Sequence, residues 1–141
     1  GYYLNNSIKY LNKNNYFRTG DLGYLRNNFL YFRGRHKNMV KINGVSIFLD
    51  DIVSMLKEDN YVEDCVAIPI ERENNINPRI CLLYEKSTYN TNQIKKFCLN
   101  NLQIYQVPTY YFKIEKIPKN KMNKLNMIEI KKIVTNKLKI N

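Results

Sequence analysis

The chain has 141 residues, enough for one domain or for one small domain with a trailing piece of a neighbour, and too few for a large multi-domain enzyme. Hydrophobic residues make up 44% and charged residues 25%, an ordinary globular balance, and no apolar run approaches the roughly 18 residues of a membrane span. The net charge of +11 is uneven: nine of the twelve acids lie between Asp50 and Glu85, whereas Lys113 to Asn141 holds nine lysines, so the basic end either faces phosphates or forms a solvated lysine surface. The three cysteines, Cys65, Cys81 and Cys98, are odd in number, lie among apolar neighbours and form no Cys-x-x-Cys pair. They read as reduced core thiols of a cytoplasmic protein, with no disulfide framework and no metal site expected. The polar, Asn-rich first residues carry no secretory signal.

Residues 1–17 lack periodicity and predict loop or linker. Phe29–Arg33 and Met39–Ile42 read as strands of one hairpin across the polar turn 34–38, and Asn43-Gly44 is a second turn before Val45–Ile47. Asp50 and Asp51 precede Ile52, Met55 and Leu56 at helical spacing, with the acids at the positive end of the helix. Two β-rich runs follow, over 62–70 and 79–85, the first ending near Pro69. Asn90 with Gln93 predicts a capping box ahead of Ile94, Phe97, Cys98 and Leu102. A strand through Tyr110, Phe112 and Ile114 is expected to run on towards Pro118, and Met127, Ile130, Val134 and Leu138 recur at the spacing of a last helix. The expectation is an α+β fold, a small mixed sheet flanked by helices and preceded by a two-stranded hairpin.

Three segments carry chemistry. In Tyr16-Phe17-Arg18-Thr19-Gly20-Asp21-Leu22-Gly23, an acid flanked by glycines on a turn can approach a ligand, and a carboxylate can accept hydrogen bonds from both hydroxyls of a ribose. Taken alone, such an Asp is more often a capping residue of a turn. The second segment is Gly34-Arg35-His36-Lys37-Asn38-Met39-Val40-Lys41-Ile42-Asn43-Gly44, followed by Ile47 and Asp51-Ile52, and the third is Ile117-Pro118-Lys119-Asn120-Lys121-Met122-Asn123-Lys124. Occurring in this order, the three resemble the ANL superfamily of adenylate-forming enzymes, which includes acyl-CoA synthetases, amino-acid adenylation domains and D-alanine:carrier-protein ligases. The third match departs from the superfamily's Pro-Lys-Thr-x-x-Gly-Lys, with Asn120 in place of Thr and Asn123 in place of Gly. The superfamily's Ser/Thr/Gly-rich phosphate loop is absent from the sequence.

The resemblance implies a tail of the large N-terminal adenylation domain and linker over 1–36 and a C-terminal lid over 37–141, inactive as an isolated fragment. It implies Lys124 as the catalytic lysine, with Lys119 and Lys121 close enough to compete for that role. Asp21 and Arg35 would hold the nucleotide, Lys37 would be the hinge, and Lys41 to Gly44 would line the passage of the thiol. His36, the only histidine, receives no role. ATP with Mg is implied, bound mainly by the N-terminal domain, and the acceptor is either the phosphopantetheine of a carrier protein or CoA. Ile47-Phe48-Leu49, with Leu49 where acyl-CoA synthetases usually carry Pro, leans towards an amino acid loaded on a carrier protein. Lys37 leans the other way. A basic nucleic-acid-binding module is the alternative of another class; it would account for the lysines but not for the ordered motifs.

Overall fold

Within residues 64–70 and 79–85 apolar side chains occupy alternate and successive positions alike, the pattern of strands covered on both faces. The structure, a computed structural model, describes residues 2–4, 7–9, 19–71 and 77–138. It divides into two compact units, residues 1–38 and 39–141.

In the second unit, β7 (Asp64–Ile70), β8 (Arg79–Glu85) and β9 (Tyr110–Lys113) form a three-stranded sheet in the order β7-β8-β9. The β7–β8 pair is antiparallel and the β8–β9 pair parallel, the latter connected through α2 (Thr91–Asn101). One face presents Cys65, Ala67, Ile80, Leu82 and Tyr84 to Ile52 and Leu56 of α1 (Leu49–Glu58) and to Ile94 and Cys98 of α2. The other presents Val66, Ile68, Cys81 and Leu83 to Ile117 and to Ile130 and Val134 of α3 (Met127–Leu138). The central β8 is covered on both faces. β7 ends at Ile70, next to Pro69 as expected, and it accommodates the proline because it is an edge strand, where a missing N–H is tolerated.

Asp50 and Asp51 lie in the first turn of α1, at the positive end of its dipole, and the N-cap residue, Phe48, offers no side-chain cap. The capping box of α2 is present: Asn90 Oδ1 accepts from the Gln93 N–H at 3.0 Å and Gln93 Oε1 from the Asn90 N–H at 2.9 Å. Preceding α1, β5 (Met39–Ile42) and β6 (Val45–Phe48) form a hairpin on Asn43 and Gly44, whose φ values of 50° and 79° are those of a tight primed turn.

In the first unit, β1 (Tyr2–Leu4) pairs with β2 (Ser7–Lys9), so part of the expected loop is extended and paired. β3 (Asp21–Arg26) pairs antiparallel with β4 (Phe29–Arg35). This corrects the expected pairing of Phe29–Arg33 with Met39–Ile42. The physical reason is the turn: Asn27 and Asn28 take φ values of 51° and 64° and return the chain at once, so β4 finds its partner upstream, and His36–Asn38 forms one turn of 3-10 helix instead of a hairpin loop. A bulge between Leu22 and Gly23 brings β4 so close that a Cβ at Gly23 would lie 2.7 Å from the Tyr31 carbonyl oxygen. That approach requires glycine.

Candidate functional site

Asp21 and Arg35 sit opposite each other in the register of β3 and β4. Gly20, at φ 80°, turns the chain into β3, and its carbonyl accepts from the His36 N–H at 2.8 Å, which closes the end of the hairpin. Thr19 Oγ1 accepts from the Asp21 N–H at 3.1 Å. Arg35 Nε donates to Asp21 Oδ1 at 3.1 Å, and the Arg35 side chain remains 68% exposed. The sequence-predicted pair is therefore brought together, with the guanidinium largely in solvent and the carboxylate held at a turn. Tyr16, Phe17 and Arg18 of the same motif lie outside the described residues. Lys37 is exposed on the 3-10 turn, and the division between the two units follows Asn38.

In the second unit Lys41 and Gly44 are exposed on the β5–β6 hairpin. A Cβ placed at Gly44 would meet nothing within 4 Å, so its glycine answers to the positive φ and leaves open space beside the backbone. Sequence reasoning missed a brace on this turn: Asn77 Oδ1 accepts from the Asn43 N–H at 2.9 Å, and Asn77 Nδ2 donates to Asn43 Oδ1. Nothing local signals it, because the two asparagines are 34 positions apart.

The Pro118–Asn126 loop is closed on itself. Asn120 and Lys124 exchange a backbone bond, Asn120 N–H to the Lys124 carbonyl at 2.7 Å, and the Asn126 N–H reaches the Pro118 carbonyl at 2.9 Å. Asn120 Oδ1 accepts from the N–H groups of both Met122 (2.9 Å) and Lys124 (3.0 Å). Asn123 takes φ 59°, the left-handed conformation that asparagine tolerates better than most residues. Both departures from the motif thus have a geometric account: Asn120 ties two amides with one side-chain oxygen, and Asn123 adopts a conformation that suits Gly.

The three lysines of this loop are not equivalent. All three are exposed, and Lys119 differs in its partner: its Nζ lies 2.6 Å from Asp64 Oδ2 on β7. Lys57 Nζ donates to the other oxygen of Asp64 at 3.0 Å. Partial burial pushes the Asp64 carboxyl up, but the hydrogen bonds and charges of Lys119 and Lys57 outweigh it and hold the group below the usual carboxylate range. The Asp64 partnership is a part of the site that sequence reasoning missed. Its two ends are 55 positions apart, and only the sheet joins them.

The three cysteines are free and buried, and burial pushes the thiols of Cys65 and Cys81 up to about 12. They are core groups. Among the described residues no cluster of His, Cys, Asp and Glu could hold a metal ion, and no helix is long and apolar enough to cross a membrane.

The chain matches no protein-family model. Over 125 residues it is 32% identical to a D-alanine--D-alanyl carrier protein ligase of Bacillus licheniformis, which covers 84% of this chain and 25% of that protein. Among solved structures it is similar to an o-succinylbenzoate CoA synthetase from Bacillus subtilis in complex with an acyl-adenylate intermediate, with a TM-score of 0.74, 25% identity, and coverage of 84% of this chain and 25% of that one. A fatty acyl CoA synthetase of Mycobacterium tuberculosis shares the fold, with a TM-score of 0.68 at 23% identity over 88% of this chain and 25% of that one. The chain thus spans about a quarter of the length of the relatives it matches.

Proposed function

Because the chain has the sequence and the fold of the C-terminal part of adenylate-forming ligases of the ANL superfamily, we propose that it works as the lid of a larger AMP-forming acid–thiol ligase. The observation that carries the reading is the Pro118–Asn126 loop, closed by its own hydrogen bonds, with Lys119 tied to Asp64 and Lys124 left in solvent. A cation on a long stem, mounted on a braced turn, suits a lid that closes over developing negative charge.

In the first half-reaction, an oxygen of the substrate carboxylate attacks the α-phosphorus of ATP; the bond to the β-phosphate bridge breaks, and pyrophosphate leaves. Lys124 would stabilise the charge that collects on the carboxylate and α-phosphoryl oxygens. Asp21 would accept from the ribose hydroxyls, with Arg35 beside it. Residues 1–36 would belong with the large domain, to which the phosphates and accompanying magnesium are also assigned, and 37–141 would form the lid. Rotation about Lys37 would then withdraw Lys124 and bring in the Lys41–Gly44 turn. In the second half-reaction the thiol sulfur attacks the acyl carbon, AMP leaves, and the thiol proton is released. The open space at Gly44 would let the pantetheine arm pass the backbone.

The relative at 32% identity favours D-alanine as the acid and a carrier protein as the acceptor. A CoA-dependent acyl ligase is the second reading, favoured by the likeness to a CoA synthetase at 25% identity and by Lys37 at the hinge position. In the full-length parent chain, D-alanine-dependent exchange of pyrophosphate into ATP is expected, lowered by Lys124→Ala on the order of a hundredfold or more. Exchange indifferent to that substitution would move the role to Lys121, and no exchange with any amino or fatty acid would overturn the ligase reading. Product analysis with carrier protein or CoA as acceptor separates the two readings.

A further inference from the structure

Two acids stand opposite each other at the end of the β7–β8 pair, Asp64 facing Glu85 in the register. Like charges directly across a sheet are destabilising, so such a placement persists where other groups gather the charge. Here the Lys124 loop gathers it. Glu85, 7% exposed, accepts from the Ile117 N–H through Oε2 at 2.8 Å, and Asp64 takes the Lys119 ammonium at 2.6 Å. One clamp holds the start of the loop by its backbone, and the other holds it by a side chain two residues on. Beyond Lys119 the hydrogen bonds already described close the loop on itself, with Asn120 through Lys124 exposed, and its far end is tied to α3, where Asn126 accepts from the Glu129 N–H at 3.4 Å and the Ile130 N–H at 3.0 Å.

We propose that Asp64, through its ion pair with Lys119, is a positioning residue for Lys124, needed when the lid presents that lysine to the acid and α-phosphate and not needed when the lid presents its other face to the thiol. The proposal rests on the role of Lys124 given above. Its physical content is positional: an ammonium on a four-carbon stem samples a large volume, and anchoring the turn that carries it confines the stem's origin, which favours the geometry in which the cation meets the developing charge. Asp64 is itself held through its other oxygen by Lys57 of α1, so the anchor is shared with a helix that packs on the sheet.

The test uses the full-length parent with Asp64→Asn, Lys119→Met and the double variant, and two assays: acid-dependent pyrophosphate exchange, and thioester formation from a synthetic acyl adenylate supplied with the thiol acceptor. Each single variant is expected to lower the kcat of exchange about tenfold with the KM for ATP within twofold. The double variant should be no worse than either single, because the two residues act through one contact. Thioester formation should stay within twofold. Exchange within twofold of wild type in both singles overturns the proposal. An equal fall in both half-reactions also overturns it, since it would mean support of the fold alone. A double variant as slow as the product of the singles overturns it too, as does undiminished exchange in Asp64→Asn beside a loss in Lys119→Met, which would make Lys119 itself the reacting cation. A second measurement is independent of catalysis: hydrogen exchange at the Met122 and Lys124 amides of the same parent is expected to quicken about tenfold in Asp64→Asn. Unchanged rates would sink the clamp even if the parent proved not to be a ligase, whereas quickened rates in an inactive parent would sink the ligase reading and leave the clamp.

Discussion

At the scale of single residues, the Lys124 loop turns on an asparagine held at φ 59°. Asn123→Gly should leave thermal stability unchanged or slightly raised, while Asn123→Val should cost about 1–2 kcal/mol, because a branched side chain in the left-handed region meets the following carbonyl. A melting curve of the three forms checks both. Asp64 gives a prediction with a pH sign. Its folded pKa lies below the ordinary 3.8, so the ion pairs add stability that is fully present above that value and is lost as pH falls through the lower, folded pKa. Asp64→Asn should therefore be less stable than wild type at pH 7, and the gap should narrow as denaturation is followed from about pH 4 downward. A gap that stays constant with pH would mean that the carboxylate's charge contributes nothing.

At the scale of elements, the β3–β4 and β5–β6 pairs each turn on two residues of positive φ, Asn27 and Asn28 in one and Asn43 and Gly44 in the other. A methyl group at Gly23 would collide with the Tyr31 carbonyl, so Gly23→Ala should splay or shift the β3–β4 hairpin, visible as a loss of cross-strand contacts between Tyr24 and Tyr31, whose rings stack 5.2 Å apart. For α2, Asn90→Ala removes one half of a capping box and should cost about 1 kcal/mol in urea unfolding, with the m-value unchanged. The α2 box is legible because its two residues are three apart and both speak through local hydrogen bonds. The β3–β4 pairing is not, although Asn27-Asn28 carries the same kind of turn signal as Asn43-Gly44; without a glycine the turn is a weaker signal than the polar 34–38 stretch, which points to the wrong partner for β4. The helices at 49–58 and 127–138 are legible from spacing alone, since their buried positions recur at the helical period.

At the scale of the whole molecule, the sheet of the second unit divides the apolar residues between two faces, α1 and α2 covering one and α3 the other, and all three cysteines fall among them. With the thiols of Cys65 and Cys81 raised to about 12 by burial, native protein at pH 8 should react with iodoacetamide far more slowly than unfolded protein, and mass spectrometry should find these two sites labelled only after denaturant is added. The element types of this unit, the α+β class, the turn at Asn43-Gly44 and the order of the three motifs are legible in the chain alone, because each of these is encoded in residues a few positions apart. Three outcomes emerge only in the folded chain: the partner of β4, the brace of Asn77 on the Asn43 turn, and the tie on Lys119 that leaves Lys124 in solvent. The last two depend on groups 34 and 55 positions apart in the chain. A contact between distant positions leaves no period in the sequence; it exists only once the sheet has fixed where its two ends lie.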